Sequence, residues 1–344
     1  MPQARKRLTL PVCRPAPGAD TPLSIADVTP TLTERIIATV GVSDVPNLIW
    51  SDRGLAPSGY AKGMAVAFAR VYAKWKMRNS AALVMAAANS GDDTRDALSW
   101  YNSRFQPKAM DNSKAGADTL RHLFVLLFGL GMRESSGRYC EGRDRSARNI
   151  SADSAEAGLF QMSWDAHTAD AEILRLFGEY HASQDDGLLA IFREGVTAHQ
   201  YDLESYGSGD GRAFQDLCKS KPLFAVECAA VGLRAIRRHW GPINRHEAVI
   251  APGVDRLFAM VQAIADGNEN ERSIIAAALD EALRDQVKRL FAVLAMSMVD
   301  DGGSNVARDK AEKRFTIGLK IVRRYVDRAA ATRAIIKQPN EKRT

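Results

Sequence analysis

The feature that most constrains this chain is a run of thirteen residues, Leu120 to Met132, that is apolar except for Arg121 and His122. A helix that is apolar on every face is stable only at the centre of a packed body. The run falls short of the ~20 apolar residues that a bilayer-spanning helix needs, and its two basic residues argue further against a span. We therefore expect a buried core helix from about Lys114 to Met132, with no membrane span, and the rest of the chain arranged around it.

The flanking sequence supplies the partners. Met64, Ala67, Phe68, Val71, Tyr72 and Trp75 recur at steps of three and four, which predicts a helix from Ser58. Further helical patterns cover residues 81–88, 164–178, 187–203, 224–239 and 252–265, and a short helix at 32–40 has Thr31 or Thr33 as its cap. Residues 205–211, Ser-Tyr-Gly-Ser-Gly-Asp-Gly, read as a glycine-rich turn. Beyond residue 270, two amphipathic helical patterns, 274–299 and about 306–336, are separated by Asp300–Gly303. No alternation is long enough for a sheet of consequence, so the expected fold class is mainly α. At 344 residues the chain accommodates one large domain with extensions. The expected division is a partly irregular N-terminal extension at 1–54, a helical body at 55–266 and a basic helical extension at 267–344.

Composition narrows the function classes. Hydrophobic residues make up 46% and charged residues 26%, which excludes a disordered, collagenous or polytopic membrane chain. The net charge of +6 suits nucleic acid, anionic lipid or an anionic cell-wall polymer, and by itself selects none. Much of it comes from residues 306–344, where twelve Lys and Arg face four Asp and Glu. That tail is either a gripping surface or a solvated helix face, and the apolar stripe of Phe315, Ile317, Leu319, Ile321, Val322 and Val326 favours the packed helix. The basic start, Arg5-Lys6-Arg7, is followed by too short an apolar segment for a classical export signal. Four cysteines are too few for a disulfide scaffold, and none has zinc-ligand spacing. Cys218 and Cys228 fit either a disulfide in an oxidising compartment or two inert buried thiols.

Chemistry is concentrated in residues 131–164. Glu134 follows the apolar helix, and a carboxyl group against apolar walls has its charged form disfavoured, so it keeps its proton near neutrality and can serve as a general acid. Ser135 and Ser136 are placed to bond that carboxyl or to cap the helix, and Gly137 lets the chain turn. Farther on, Gly158-Leu159-Phe160-Gln161 joins a residue that allows close backbone approach to an amide that both donates and accepts, as hydroxyl-rich sugars require. Trp164 adds a ring face of the kind on which pyranose rings lie.

These residues resemble the lysozyme-like superfamily, in its soluble lytic transglycosylase and goose-type lysozyme branch. Members place a catalytic Glu followed by Ser at a helix end and a Gly-Leu-Met-Gln segment downstream. Here Glu134-Ser135 is followed 24 positions on by Gly158-Leu159-Phe160-Gln161, with Phe160 in place of Met and Cys140–Asp144 as a local insertion. A third element, Ala-Tyr-Asn-x-Gly then Pro-Gly-Arg, is similar to Ser205–Arg212, with Tyr206, Gly209, Gly211 and Arg212 in place and Gly207 where the family has Asn. The resemblance covers about residues 115–265.

What it implies is cleavage of the β-1,4 bond between N-acetylmuramic acid and N-acetylglucosamine in peptidoglycan, with no cofactor and no metal. Glu134 would be the general acid and base, and Ser135, Gly158, Phe160, Gln161, Tyr206 and Trp164 would contact substrate. A transglycosylase needs no second carboxylate, because the C6 hydroxyl of the sugar attacks. A hydrolase does need one, and Asp153 is the first candidate, ahead of Glu156, Asp144 and Asp165. The goose-type aspartate after the Gln is replaced by Ser163, which favours the transglycosylase. The implied partner is peptidoglycan or a related amino-sugar polymer rather than nucleic acid, the implied site of action is the periplasm or cell wall, and a secretion or envelope partner would supply the route.

Other readings stand beside this one. Glu134 can be a solvated carboxylate paired with Arg133 or Arg138. Trp164, Trp240 and Tyr201 can be core aromatics, His239 a helix terminator and His167 a surface residue. The body can also be a non-catalytic glycan-binding or interaction module. A chitin- or chitosan-cleaving relative would pair Glu134 with Glu141 or Glu156.

Overall fold

A computed structural model describes residues 31–143 and 151–267, together with Thr316, Arg323 and Asp327. The expectations for residues 1–30, Asp144 and the two C-terminal helices lie outside the described residues.

The chain is mainly helical. In order come α1 (Leu32–Val42), β1 (Ile49–Trp50), β2 (Gly54–Leu55), α2 (Ser58–Lys76), α3 (Ser80–Met85), α4 (Ala97–Trp100), α5 (Asn102–Phe105) and α6 (Ala117–Ser135). There follow α7 (Ala171–Ala182), α8 (Leu189–Phe192), α9 (Gln200–Leu203), α10 (Gly209–Ser220), α11 (Pro222–Ala235), α12 (Gly241–Asn244) and α13 (Pro252–Asp266). Among the described residues the only sheet is the antiparallel hairpin that pairs Ile49 with Leu55 and Trp50 with Gly54.

The apolar run forms the central helix. From Leu123 to Met132 every residue of α6 is buried, and α6 packs against α2, α3, α11, α12 and α13. Gly131 is needed for that packing, because a Cβ there would collide with the Tyr60 hydroxyl. The helix ends at Ser136, whose left-handed φ of 55° turns the chain, and the N–H groups of Ser136 and Gly137 return to the carbonyls of Met132 and Gly131. A second apolar helix, α11, starts on Pro222 and gathers α7, α10 and α3 around itself. Contacts of α11 with α2 and α6 join the two halves into one core.

Several expectations are corrected. The boundary at residue 54 falls inside the core: α1 packs on α2 and α13, and Ile36, Val40, Val45 and Trp50 are buried with the rest. Thr31, not Thr33, caps α1, in a reciprocal box with Glu34. The stretch 187–203 is broken into the short α8 and α9, and 164–178 opens as a 3-10 turn, Trp164–Thr168, before α7. The glycine-rich turn ends early, because Gly209 already begins α10. Helix α6 runs past Met132, so Glu134 lies in its last turn rather than beyond it. Cys140, Cys218 and Cys228 are free buried thiols, so Cys218 and Cys228 form no disulfide. Burial raises the pKa of both and keeps them inert.

Candidate active site

Four segments meet at the end of α6. The first is the helix terminus with Glu134. The second is the loop 155–163, where Ala157 and Met162 form an isolated antiparallel bridge around a tight turn. Gly158 has φ 76°, and a Cβ there would stand 2.9 Å from the carbonyl oxygen of Cys218, so both conformation and space demand glycine. Its N–H donates to the Glu141 carbonyl at 2.8 Å. Leu159 and Phe160 are fully buried anchors, and the Phe160 carbonyl accepts from the Trp240 indole at 2.9 Å. Gln161 then emerges half-buried with φ 47°. Its Nε2 donates to the Gly158 carbonyl at 3.1 Å and approaches the Glu141 carbonyl at 3.4 Å.

These contacts change the roles of several predicted substrate residues. Gly158 shapes the turn and Phe160 anchors it. The Ser135 hydroxyl is buried between the carbonyls of Leu159, at 2.9 Å, and Gly131, at 3.0 Å. It therefore ties the helix end to the loop instead of bonding the carboxyl. Trp164 is buried and stacks on His167 at 4.2 Å, with Phe177 and Phe214 against it, so no sugar lies on its face. His167 is in that stack rather than standing free on the surface. Of the Gly-Leu-Phe-Gln segment, only Gln161 is displayed.

Glu134 is set apart by what surrounds it. Among the described residues no group donates a hydrogen bond to its carboxyl. The neighbouring arginines are occupied elsewhere: Arg133 pairs with Glu247 at 3.1 Å and Asp52 at 3.7 Å, and Arg138 pairs with Asp202 at 2.5 Å and Glu141 at 3.3 Å. Burial, followed by the negative charge of Glu156, pushes Glu134 up to about 8, while Arg245 and Arg53 pull in the opposite direction. A helix C-terminus also disfavours negative charge. The carboxylate bearing most strongly on Glu134 is thus Glu156 and not Asp153, whose Oδ1 lies against Gly211 instead. Glu141 is raised as well, again by burial, with Arg138 opposing.

The third and fourth segments, 138–143 and 199–206, enclose a cavity of about 480 Å³ lined by Glu141, Gly142, Arg143, Tyr201, Asp202, Glu204 and Tyr206. Its lining reaches the α6 terminus through Glu141, whose carbonyl carries Gly158 and Gln161, and Glu134 itself stands outside it. Tyr206 is 39% exposed and Tyr201 57% exposed, and the Tyr201 ring lies parallel to His199 with centres 5.4 Å apart. The Arg143 guanidinium lies 4.3 Å from the centre of the Tyr206 ring. Sequence reasoning missed what holds Tyr206. Its N–H donates to Gln215 Oε1 at 2.9 Å, and Gln215 Nε2 lies within 3.1 Å of the carbonyls of Ala152, Tyr206 and Gly211. The signal was a buried amide in phase with Gly211, Phe214 and Cys218 on the inner face of α10.

Comparison with protein-family models, curated proteins and solved structures returns no match. Among the described residues no group of three or more His, Cys, Asp or Glu could hold a metal ion, and no helix is long and apolar enough to cross a membrane.

Proposed function

We propose that this chain is a glycosidase cleaving the β-1,4 bond between N-acetylmuramic acid and N-acetylglucosamine, acting as a lytic transglycosylase. The observation that carries the reading is the state of Glu134: desolvated, without a hydrogen-bond donor among the described residues, and protonated up to about pH 8. A carboxyl in that state gives its proton to a glycosidic oxygen as the C1–O bond breaks. The resulting carboxylate takes the proton of the C6 hydroxyl as that oxygen bonds to C1, which leaves a 1,6-anhydro end. Gln161, with its amide oxygen not engaged among the described residues, and the exposed side chains of Tyr201 and Tyr206 suit a strand of linked sugars.

A second reading, hydrolysis with Glu156 activating water, is favoured by the strength with which Glu156 acts on Glu134. One experiment separates the two. Purified protein and its Glu134→Gln variant are incubated with peptidoglycan sacculi and the products read by mass spectrometry. Anhydro ends from the wild type support the transglycosylase, and reducing ends support the hydrolase. No release from the wild type, or equal release from both proteins, overturns the enzyme reading and leaves a glycan-binding module.

A further inference from the structure

The turn of the β1–β2 hairpin is fastened to the last turn of α6. Arg53 Nη2 donates to the Arg133 carbonyl at 2.5 Å, the peptide group that leads directly into Glu134. In return Arg133 Nη1 reaches the Ser51 carbonyl at 3.4 Å. The hairpin itself is seated by Trp50, which is buried and stacks on Phe128 of α6 at 5.4 Å. Arg245 arrives from the other direction. Its Nε and Nη2 hold Glu247 at 2.7 and 3.1 Å, and Glu247 in turn accepts from Arg133 at 3.1 Å. Two exposed guanidiniums thus flank the candidate acid, one from residues 51–53 and one from residue 245. The charge of Arg53 reaches both Glu134 and the cavity-lining Glu141, and that of Arg245 reaches Glu134.

Neither cation is used up by these bonds. Among the described residues Arg53 spends one of its five N–H groups on a carbonyl and meets no carboxylate in an ion pair, and Arg245 keeps Nη1 outside its pair with Glu247. Nor does general-acid chemistry require them, since a nearby positive charge lowers the proton affinity of the acid it flanks. A pair of partly unspent guanidiniums beside a reacting carboxyl is better suited to receiving a carboxylate on the substrate, in the forked geometry that arginine offers.

We infer that Arg53 and Arg245 form an anion-reading rim beside Glu134, which selects β-1,4 amino-sugar strands carrying a carboxylate substituent over neutral strands of the same linkage. This rests on the glycosidase reading and adds to it a specificity determinant drawn from the hairpin. The rim would make a chitin-type polymer a poor ligand although its backbone matches.

The test uses the full chain carrying Glu134→Gln, so that binding is read without turnover. Calorimetry measures two probes: glycan strands freed of their peptide stems, which bear lactyl carboxylates, and uncharged chito-oligosaccharides of equal length. The carboxylate-bearing strand is expected to bind about tenfold tighter, the difference a charge-assisted hydrogen bond supplies. Arg53→Ala should abolish that preference, Arg53→Lys should retain part of it, and raised salt should shrink it. Should Arg53→Ala loosen the helix end and weaken both probes together, Arg245→Ala, at an exposed position, decides: loss of the preference supports the rim, and an unchanged ratio overturns it. Equal binding of the two probes by the parent protein overturns this inference alone. Binding of neither overturns the glycan reading and the rim with it.

Discussion

Two carboxyl groups in this molecule, one buried and one half-buried, are raised by the same cause and have opposite surroundings. Glu227, on α11, is wholly buried, and its oxygens lie 2.8 and 2.9 Å from Lys74 Nζ, with the Tyr180 hydroxyl donating at 3.1 Å. Glu134, in the last turn of α6, is less deeply set and has no donor among the described residues. Burial raises the pKa of both. Burial alone therefore does not mark a reactive group. What separates them is satisfaction: one charge has been given its partners and fixes three helices together, whereas the other has been left to hold a proton.

The largest expected effect tests that contrast directly. Glu134→Gln should lower turnover of peptidoglycan by about a thousandfold, within the range for loss of a general acid, and should leave the protein folded. Glu227→Ala should do the reverse. It strips the buried partner from Lys74 and should cost about 3 kcal/mol in chemical denaturation, with activity falling only as the folded fraction falls. If the two variants behave alike, the distinction fails.

Stability against pH sharpens it. Glu134 keeps its proton in the folded state up to about pH 8, while the unfolded chain releases it near its ordinary value of 4.5. Between those limits the folded state binds the extra proton, so this group's contribution declines as pH rises and levels off above 8. Glu134→Gln removes the decline, and at pH 8 the variant should exceed the wild type by on the order of 2–4 kcal/mol in denaturant melts. Activity should show the same group, with an alkaline limb near pH 8. Glu156→Gln removes a negative neighbour and should move that limb to lower pH, and Arg245→Ala should move it higher. A limb that stays fixed in both variants would mean another group governs it.

The smallest effect concerns the amide. Gln161→Ala should reduce turnover about tenfold and cost no more than about 1 kcal/mol of stability, since Nε2 makes one good hydrogen bond, to the Gly158 carbonyl, and a longer one to that of Glu141. Cooperative unfolding of this variant would make Gln161 a fastening of the turn instead.

Much of the framework was legible in the sequence because it rests on periodicity. The run at 120–132 can only be a central helix, and the spacing of Met64, Phe68 and Tyr72 can only be a face packed on something. The turn beside the candidate acid was legible where residue type dictates conformation, as at Gly158, but not at Gln161, whose left-handed φ of 47° its residue type disfavours. The site was not legible where type leaves the direction of a side chain open. Ser135, Phe160 and Trp164 have the chemistry to touch a sugar, yet each is turned inward, because the core around α6 and α7 needed an anchor or a ring at that place. Arg53 could not be foreseen, standing 80 positions before the carbonyl it holds, and Gln215 was hidden in a helix whose start was read as a turn. The boundary at 54 failed for a related reason: proline- and threonine-rich sequence gives no sign that the helix within it is pressed against residues two hundred positions away.

That contact bears on how the molecule comes to exist. Helix α1 rests on α13, which begins more than two hundred residues later in the chain. During synthesis α2 follows at once and covers part of the apolar side of α1, but the part that packs on α13 stays uncovered until nearly the whole body has left the ribosome. Closure of this long loop belongs to the late, slow steps of assembly, and the interval before it is when the nascent chain most needs a chaperone.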